Sequence, residues 1–303
     1  MSSPVVAVVV HWQDPLDTLG CVESLRAEPG VEVLVVDNGS PEPVGDLLSR
    51  RAPGVTCLRS PENRGYAGGA NLGIREALAR GARTVLLINN DARVRPGATA
   101  AACRLLDTDP RIAVVGPKVL TREDPQRLWL AWGTVTWRQS LVELCGADAP
   151  DGPAWSTARD VDWVAGCAMW MPAAALADVG LLDETFFAYH EEVDWCTRAR
   201  RRGLRVVYCP DVVVTHTGRG SAGGTTSVRI RKYFGARNTI LFARKHARPR
   251  DWAKLVGCLT VSLPLELAYH TLRGSPAGVV AKLAGLRDAV AGRRPPFEAL
   301  GLR

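Results

Sequence analysis

Buried-strand and amphipathic patterns alternate through the first 115 residues. Val5–Val10 is an unbroken apolar run of the kind a strand carries when both faces are covered. Leu16–Ala27 has helical spacing, and Val31–Val36 is a second apolar run that stops at the turn sequence Asp37-Asn38-Gly39-Ser40. Val55–Leu58 predicts a third strand. The Gly-rich segment Asn63–Gly73 opens a helix to about Arg80. Thr84–Ile88 is a fourth strand, ending at Asn89-Asn90-Asp91. Pro96 suits a helix start, and Ile112–Val115 predicts a fifth strand.

Strand and helix in alternation predict an α/β fold, a mostly parallel sheet with helices on both faces. Ligands of such sheets bind at the carboxyl ends of strands. Asp37 and Asp91 both fall there.

The pattern loosens between about residues 121 and 160, where Trp129, Trp132, Trp137 and Trp155 suggest loops and a short antiparallel excursion. Val161–Met171 reads as a strand, Glu191–Arg202 as a helix and Leu204–Tyr208 as the next strand. Val228–His246 is helical and basic. Two more helices are expected, Trp252–Leu272 interrupted at Pro264, and about Ala277–Ala291. The uncharged run Leu255–Leu265 is too short to span a bilayer, so no transmembrane helix is expected.

Composition is that of a globular protein: 303 residues, 47% hydrophobic and 23% charged. The net charge of +7, concentrated after residue 198, favours an anionic partner without choosing one. Eight scattered cysteines lack metal-site spacing and read as reduced thiols of a cytosolic protein. No signal peptide is expected from the N-terminus.

Several short segments bear on chemistry. Asp37 can accept from a nucleobase or ribose, or simply close its own turn. The segment around Asn63, Arg64 and Gly65 offers backbone N–H groups to a phosphate. It is neither a P-loop nor the dinucleotide fingerprint. Asp91 can hold Mg²⁺ or Mn²⁺, hard cations that also bind diphosphate oxygens. Glu191, Glu192 and Asp194 crowd a helix start that complements the helix dipole and leaves room for a general base. His216, before Thr217-Gly218-Arg219-Gly220-Ser221, suits a metal or a phosphate, and Arg229 on the basic helix suits a diphosphate.

In their order, VDNGS, ENRGYAGGANLG, LLINND, GCAMWM, GLLDETFFAYHEEVDWCTRARRRG, VVVTHTGRGS and YFGARNTILFARKH resemble glycosyltransferase family 2, of the GT-A fold, and its rhamnosyltransferase-like branch. The resemblance spans about residues 5–246. It implies a transferase domain over 1–246 and a C-terminal helical extension over 247–303, facing membrane or acceptor. It implies that Asp37 contacts the nucleoside and that Asn63, Arg64 and Gly65 form the donor loop. Asp91 and His216 then serve the metal and diphosphate, and Glu192 is the base with Glu191 beside it. The implied activity is inverting, metal-dependent sugar transfer from a dTDP- or UDP-linked donor, with rhamnose the leading sugar. The acceptor is a saccharide or lipid-linked saccharide in cell-wall or surface-polysaccharide assembly. The implied location is cytoplasmic or peripheral on the inner membrane face, with no nucleic-acid partner. Two departures stand out: Asn89 where the motif's first acid falls, and Glu192 where the family has Asp. A non-catalytic nucleotide-sugar-binding relative and a transferase acting on a small natural product are the alternatives.

Overall fold

The computed structural model describes residues 5–138, 140–217 and 225–302. They form two compact units. The first takes in most of the chain to residue 218. The second takes residues 219–303 with two short insertions, 135–143 and 188–190.

The first unit is laid down in the predicted alternation. It begins β1 (Val5–His11), α1 (Pro15–Arg26), β2 (Val31–Asp37), α2 (Gly45–Arg51), β3 (Thr56–Arg59), α3 (Gly65–Ala79) and β4 (Thr84–Asn89). The chain continues with β5 (Ala92–Val94), α4 (Ala98–Leu106), β6 (Ile112–Thr121), β7 (Leu128–Leu130), β8 (Trp132–Val135), β9 (Val142–Cys145), β10 (Arg159–Asp160), β11 (Ala168–Pro172), α5 (Ala173–Val179), α6 (Glu191–Arg201) and β12 (Arg205–His216). The main sheet runs β10-β12-β6-β11-β4-β1-β2-β3, with β5 on β12 and β7 on β6. Strands β4, β1, β2 and β3 are mutually parallel. Strand β11 enters antiparallel between β4 and β6, and β12 then pairs parallel with β6. Every residue of β1 is buried, as its unbroken apolar run requires of a central strand covered on both faces.

Register levels the ends of the strands. His11 lies opposite Asp37 and Val10 opposite Asn89. His216, at the end of β12, lies opposite both Thr121 of β6 and Ala92 of β5. The residues before and after Asp91 are thus tied to neighbouring strands at one edge, which is what brings Asp91 to His216.

Two sequence expectations change here. The strand expected over Val161–Met171 begins only at Ala168. Val161 and Trp163 are buried and bridge to other segments. The ladder breaks near Gly166, whose carbonyl is taken by the Tyr66 hydroxyl at 3.1 Å. The expected break at Pro264 is also absent.

The second unit is built from α7 (Thr225–His246), α8 (Pro249–Leu272) and α9 (Ala277–Val290). Helix α8 runs through Pro264, which gives up one backbone N–H but does not end the helix. The resulting 24-residue helix is long and apolar enough, by length and composition, to cross a membrane, contrary to the sequence expectation. Helices α7 and α9 pack closely. A side chain at Gly285 would collide with the Tyr233 carbonyl, and the Tyr233 hydroxyl donates to Asp288 at 2.9 Å.

Candidate active site

Asp91 sits in the turn between β4 and β5. Its Oδ1 lies 3.0 Å from His216 Nε2 and its Oδ2 accepts from the Thr217 hydroxyl at 2.8 Å. Burial pushes the Asp91 carboxyl up, but the His216 and Thr217 bonds outweigh it, so the net direction is down. The group stays ionised. Asn89 Nδ2 lies 3.4 Å from the same imidazole nitrogen. The Trp129 ring meets the His216 ring edge-on, with centroids 4.5 Å apart.

Two atoms bound at right angles to one Mg²⁺ or Mn²⁺ are about 3 Å apart, given metal–oxygen distances of ~2.1 Å. The Asp91 and His216 atoms stand 3.0 Å apart, close enough for both to reach one ion that displaced the hydrogen bond between them. Among the described residues no group of three His, Cys, Asp or Glu forms a complete cage. The remaining positions of an ion would therefore fall to diphosphate oxygens and water, the usual habit of these hard cations.

The members of the acidic cluster differ in burial and partners. Asp194 is fully buried and accepts from Arg198 Nε at 2.8 Å. Arg198 also donates to the carbonyls of Val179 and Leu181, and Trp195 donates to that of Gly180. Asp194 thus pairs with an Arg that locks α6 to the chain before it. Glu191 is 6% exposed, and its Oε2 has no hydrogen-bond partner among the described residues. Burial, then the neighbouring Glu192, pushes its carboxyl well above the ordinary range. Glu192 is half-buried against Gly166, where an added Cβ would stand 3.2 Å from the Glu192 stem.

The approach to α6 is strained. Phe187, Tyr189 and His190 all have positive φ, at 63°, 68° and 70°. Such non-glycine residues cost about 1–3 kcal/mol each and cluster at functional sites. Within the second unit, Asn238 holds this stretch by donating to the carbonyls of Ala188 and Tyr189, each at 2.7 Å.

Tyr66 lies near both acidic centres. Its buried hydroxyl, raised first by burial, lies in the fields of Glu191, Cys167, Glu192 and Asp91. The carboxylate pair and Asp91 therefore share one neighbourhood.

The donor-loop candidates are ordered by one another. Asn38 donates to Asn63 Oδ1 and to the Gly65 carbonyl, and accepts from the Arg64 backbone N–H. Asn63 Oδ1 accepts from the Gly65 N–H at 2.9 Å. Gly65 has φ +71°, and a Cβ there would meet the Phe187 ring and carbonyl at 2.5 Å. Only glycine fits. Arg64 pairs with Glu184, which also accepts from Asn71 and Arg75.

Asp37 is buried at the carboxyl end of β2. Its carboxylate accepts from Ser40 N–H, Ser40 hydroxyl, Val44 N–H and Arg59 Nη1. Three of those bonds lie within its own turn and the fourth comes from Arg59 at the end of β3. The Ser40 and Val44 bonds close the turn after β2. Arg229 is exposed on α7, in the second unit. The stretch Gly218–Ser221 lies outside the described residues.

Sequence reasoning overlooked Asn38, Tyr66, Glu184 and Trp129. Asn38, Tyr66 and Glu184 stand inside the motifs that drew attention, beside the residues singled out there. Trp129 reaches the site from a segment with no pattern of its own.

Levelled strand ends, an Asp–His pair and an acidic helix start sit on an α/β fold of the GT-A type. The chain belongs to the glycosyltransferase-like family 2, which matches residues 3–235. It is 29% identical over 243 residues to an N-acetylglucosaminyl-diphospho-decaprenol L-rhamnosyltransferase of Mycobacterium tuberculosis, covering 73% of this chain and 77% of the relative. It is 33% identical over 213 residues to a galactofuranosyltransferase of Mycolicibacterium smegmatis, covering 67% of each chain. The fold is similar to that of a mannosyltransferase of Pyrobaculum calidifontis in complex with GDP-Man and Mn²⁺. The TM-score is 0.58 at 19% identity, over 99% of this chain and 79% of the other.

Proposed function

We propose that this glycosyltransferase inverts the anomeric centre in a single displacement, with Glu192 as the base. The observation that carries the reading is the contrast within the pair Glu191-Glu192. Glu191 is buried and its carboxyl is pushed up by burial and then by Glu192, while Glu192 is half-buried beside Gly166, so Glu192 is the more accessible carboxyl of the pair. Paired acids whose environments push them apart are how one site separates two roles.

The acceptor hydroxyl gives its proton to Glu192 while its oxygen bonds to the anomeric carbon. The bond from that carbon to the donor phosphate breaks, and the electron pair leaves with the nucleoside diphosphate. With a single base and no side chain forming a sugar ester, the product is inverted. A divalent ion held by Asp91 and His216 would supply electrostatic neutralisation of the diphosphate. Asn63, Arg64 and Gly65 present the donor loop and Tyr66 fixes Gly166 beside Glu192. Arg229 is offered as a diphosphate contact, and Asp37 as a nucleoside contact if Ser40 and Arg59 yield.

The donor we infer is dTDP- or UDP-linked, with rhamnose first. The acceptor is a saccharide or lipid-linked saccharide of the cell wall or surface polysaccharide. The names of the rhamnosyl- and galactofuranosyltransferase relatives support this choice. Work on a lipid-linked acceptor would place the enzyme at the cytoplasmic membrane face, with residues 1–246 as the transferase domain and 247–303 as its extension.

The test is release of nucleoside diphosphate from a panel of donors in the presence of lipid-linked saccharide acceptors. Acceptor-dependent release with an inverted linkage by NMR supports the reading. Donor binding without any transfer would instead favour a nucleotide-sugar-binding relative that has lost catalysis.

A further inference from the structure

Charge divides unevenly along the chain. Residues 225–302 hold fourteen Lys and Arg against four Asp and Glu, whereas the whole protein is only +7. The rest is therefore acidic on balance. Within this basic unit, α8 inverts the usual arrangement of a surface helix, in which apolar residues face inward. Leu255 is buried, but Val256, Val261, Leu265 and Leu272 are 52%, 65%, 66% and 89% exposed.

Spacings of three and four residues gather Val256, Gly257, Thr260, Val261, Pro264, Leu265, Ala268 and Leu272 on one outward face. That face carries no charge. Arg250 and Lys254 precede it and Arg273 follows it. The acid of this region points the other way. Glu266 accepts from Lys282 of α9 at 2.5 Å and from Lys232 of α7 at 3.4 Å. Helix α8 is thus latched to its neighbours through an ion-pair triad while its apolar side is left in the open.

We propose that α8 lies in the surface of an anionic bilayer, with the Val256–Leu272 face among the acyl chains and Arg250, Lys254 and Arg273 at the lipid phosphates. An apolar face bracketed by cations on a strongly basic unit is complementary to that surface. A second copy fits less well, because two such basic units would repel. A spanning orientation also fits less well. The uncharged run Leu255–Leu265 is about 16 Å long at 1.5 Å per residue, roughly half the hydrocarbon thickness. Glu266 then ties the helix to α7 and α9. The proposal deepens the reading of a lipid-linked acceptor, and it stands or falls apart from the chemistry.

The test uses the full chain and vesicles that contain neither donor nor acceptor. Co-sedimentation is measured with phosphatidylcholine vesicles, with and without phosphatidylglycerol, at low and high salt. The expected result is binding to the phosphatidylglycerol vesicles at low salt that weakens as salt rises. Val261→Asp combined with Leu265→Asp should lower the partition coefficient at least about tenfold. Both side chains are exposed, so circular dichroism should match the parent. Arg250→Glu with Lys254→Glu, a variant that leaves the apolar face intact, should weaken binding and flatten its salt dependence.

Absence of binding to phosphatidylglycerol vesicles at low salt overturns the proposal, as does unchanged binding by both variants. A dimer in light scattering that the aspartate variant disperses, with no vesicle binding, assigns the face to a second copy instead. Resistance of membrane-bound protein to alkaline carbonate assigns it to a spanning helix.

Discussion

At the scale of single residues, the site depends on which carboxyl groups are charged. Glu192→Gln keeps size and hydrogen bonding but accepts no proton. Loss of a general base typically costs about 10²–10⁴-fold in rate. Turnover should fall by that amount while donor affinity, read by calorimetry, stays within a few-fold. Normal turnover by this variant alongside a dead Glu191→Gln would move the base by one position. Asp91→Asn removes the charge that faces His216. Transfer should drop to near background, and EDTA should inhibit the parent protein. Full activity in EDTA would sink the metal-dependent reading. Glu191 gives a third expectation, read from stability. Its folded-state carboxyl is raised, so the folded protein holds a proton that the unfolded chain releases above about pH 4.5. Stability from this group is present below that pH and is lost as pH rises toward the folded value. Glu191→Gln removes the dependence. Its melting temperature should gain on that of the parent as pH is raised from 4.5 to 8, and a gain that shrinks over this range would contradict the assignment.

At the scale of elements, α6 is held in place by a side chain that does no chemistry. Asp194 and Arg198 form a buried pair that reaches the carbonyls of Val179 and Leu181. Removing one partner of such a pair costs about 3–5 kcal/mol. Asp194→Ala should lose stability of that order in urea titration, and unchanged unfolding would show that the pair does not anchor the helix. The strand–helix alternation was readable because each strand is covered on both faces and needs an unbroken apolar run. Helix α6 was readable from its acids at one end and arginines at the other. What could not be read was anything set by partners distant in sequence. The short strand β5 exists because β12 pairs with it. The segment Val161–Cys167 has the apolar content of a strand but spends it on isolated bridges. Pro264 was expected to break a helix, and on an exposed face it does not. Asp91, His216 and the Glu pair were found from motif order, whereas Glu184 joins the donor loop only through tertiary contact.

For the whole molecule, ligand binding should appear as added stability. A ligand that binds only the folded state raises stability by about 2.7 kcal/mol at a concentration one hundred times its Kd. Thermal melts with dTDP- and UDP-sugars should therefore shift upward, and more so with Mn²⁺ than with EDTA. Equal shifts in Mn²⁺ and EDTA would separate nucleotide binding from metal binding. An upward shift for one nucleotide series alone would name the base that the site selects.

The meeting of Gly65 and Phe187 has a consequence for how this protein can vary. A Cβ at position 65 would strike the Phe187 carbonyl as closely as its ring, and the backbone there is left-handed. Trimming the ring would relieve only part of the collision, because the carbonyl belongs to every residue type. Gly65→Ala is therefore a lesion without a second-site remedy at position 187. A search for revertants should return glycine at 65 itself, and a compensating substitution at 187 would show that the loop can be rebuilt in another form.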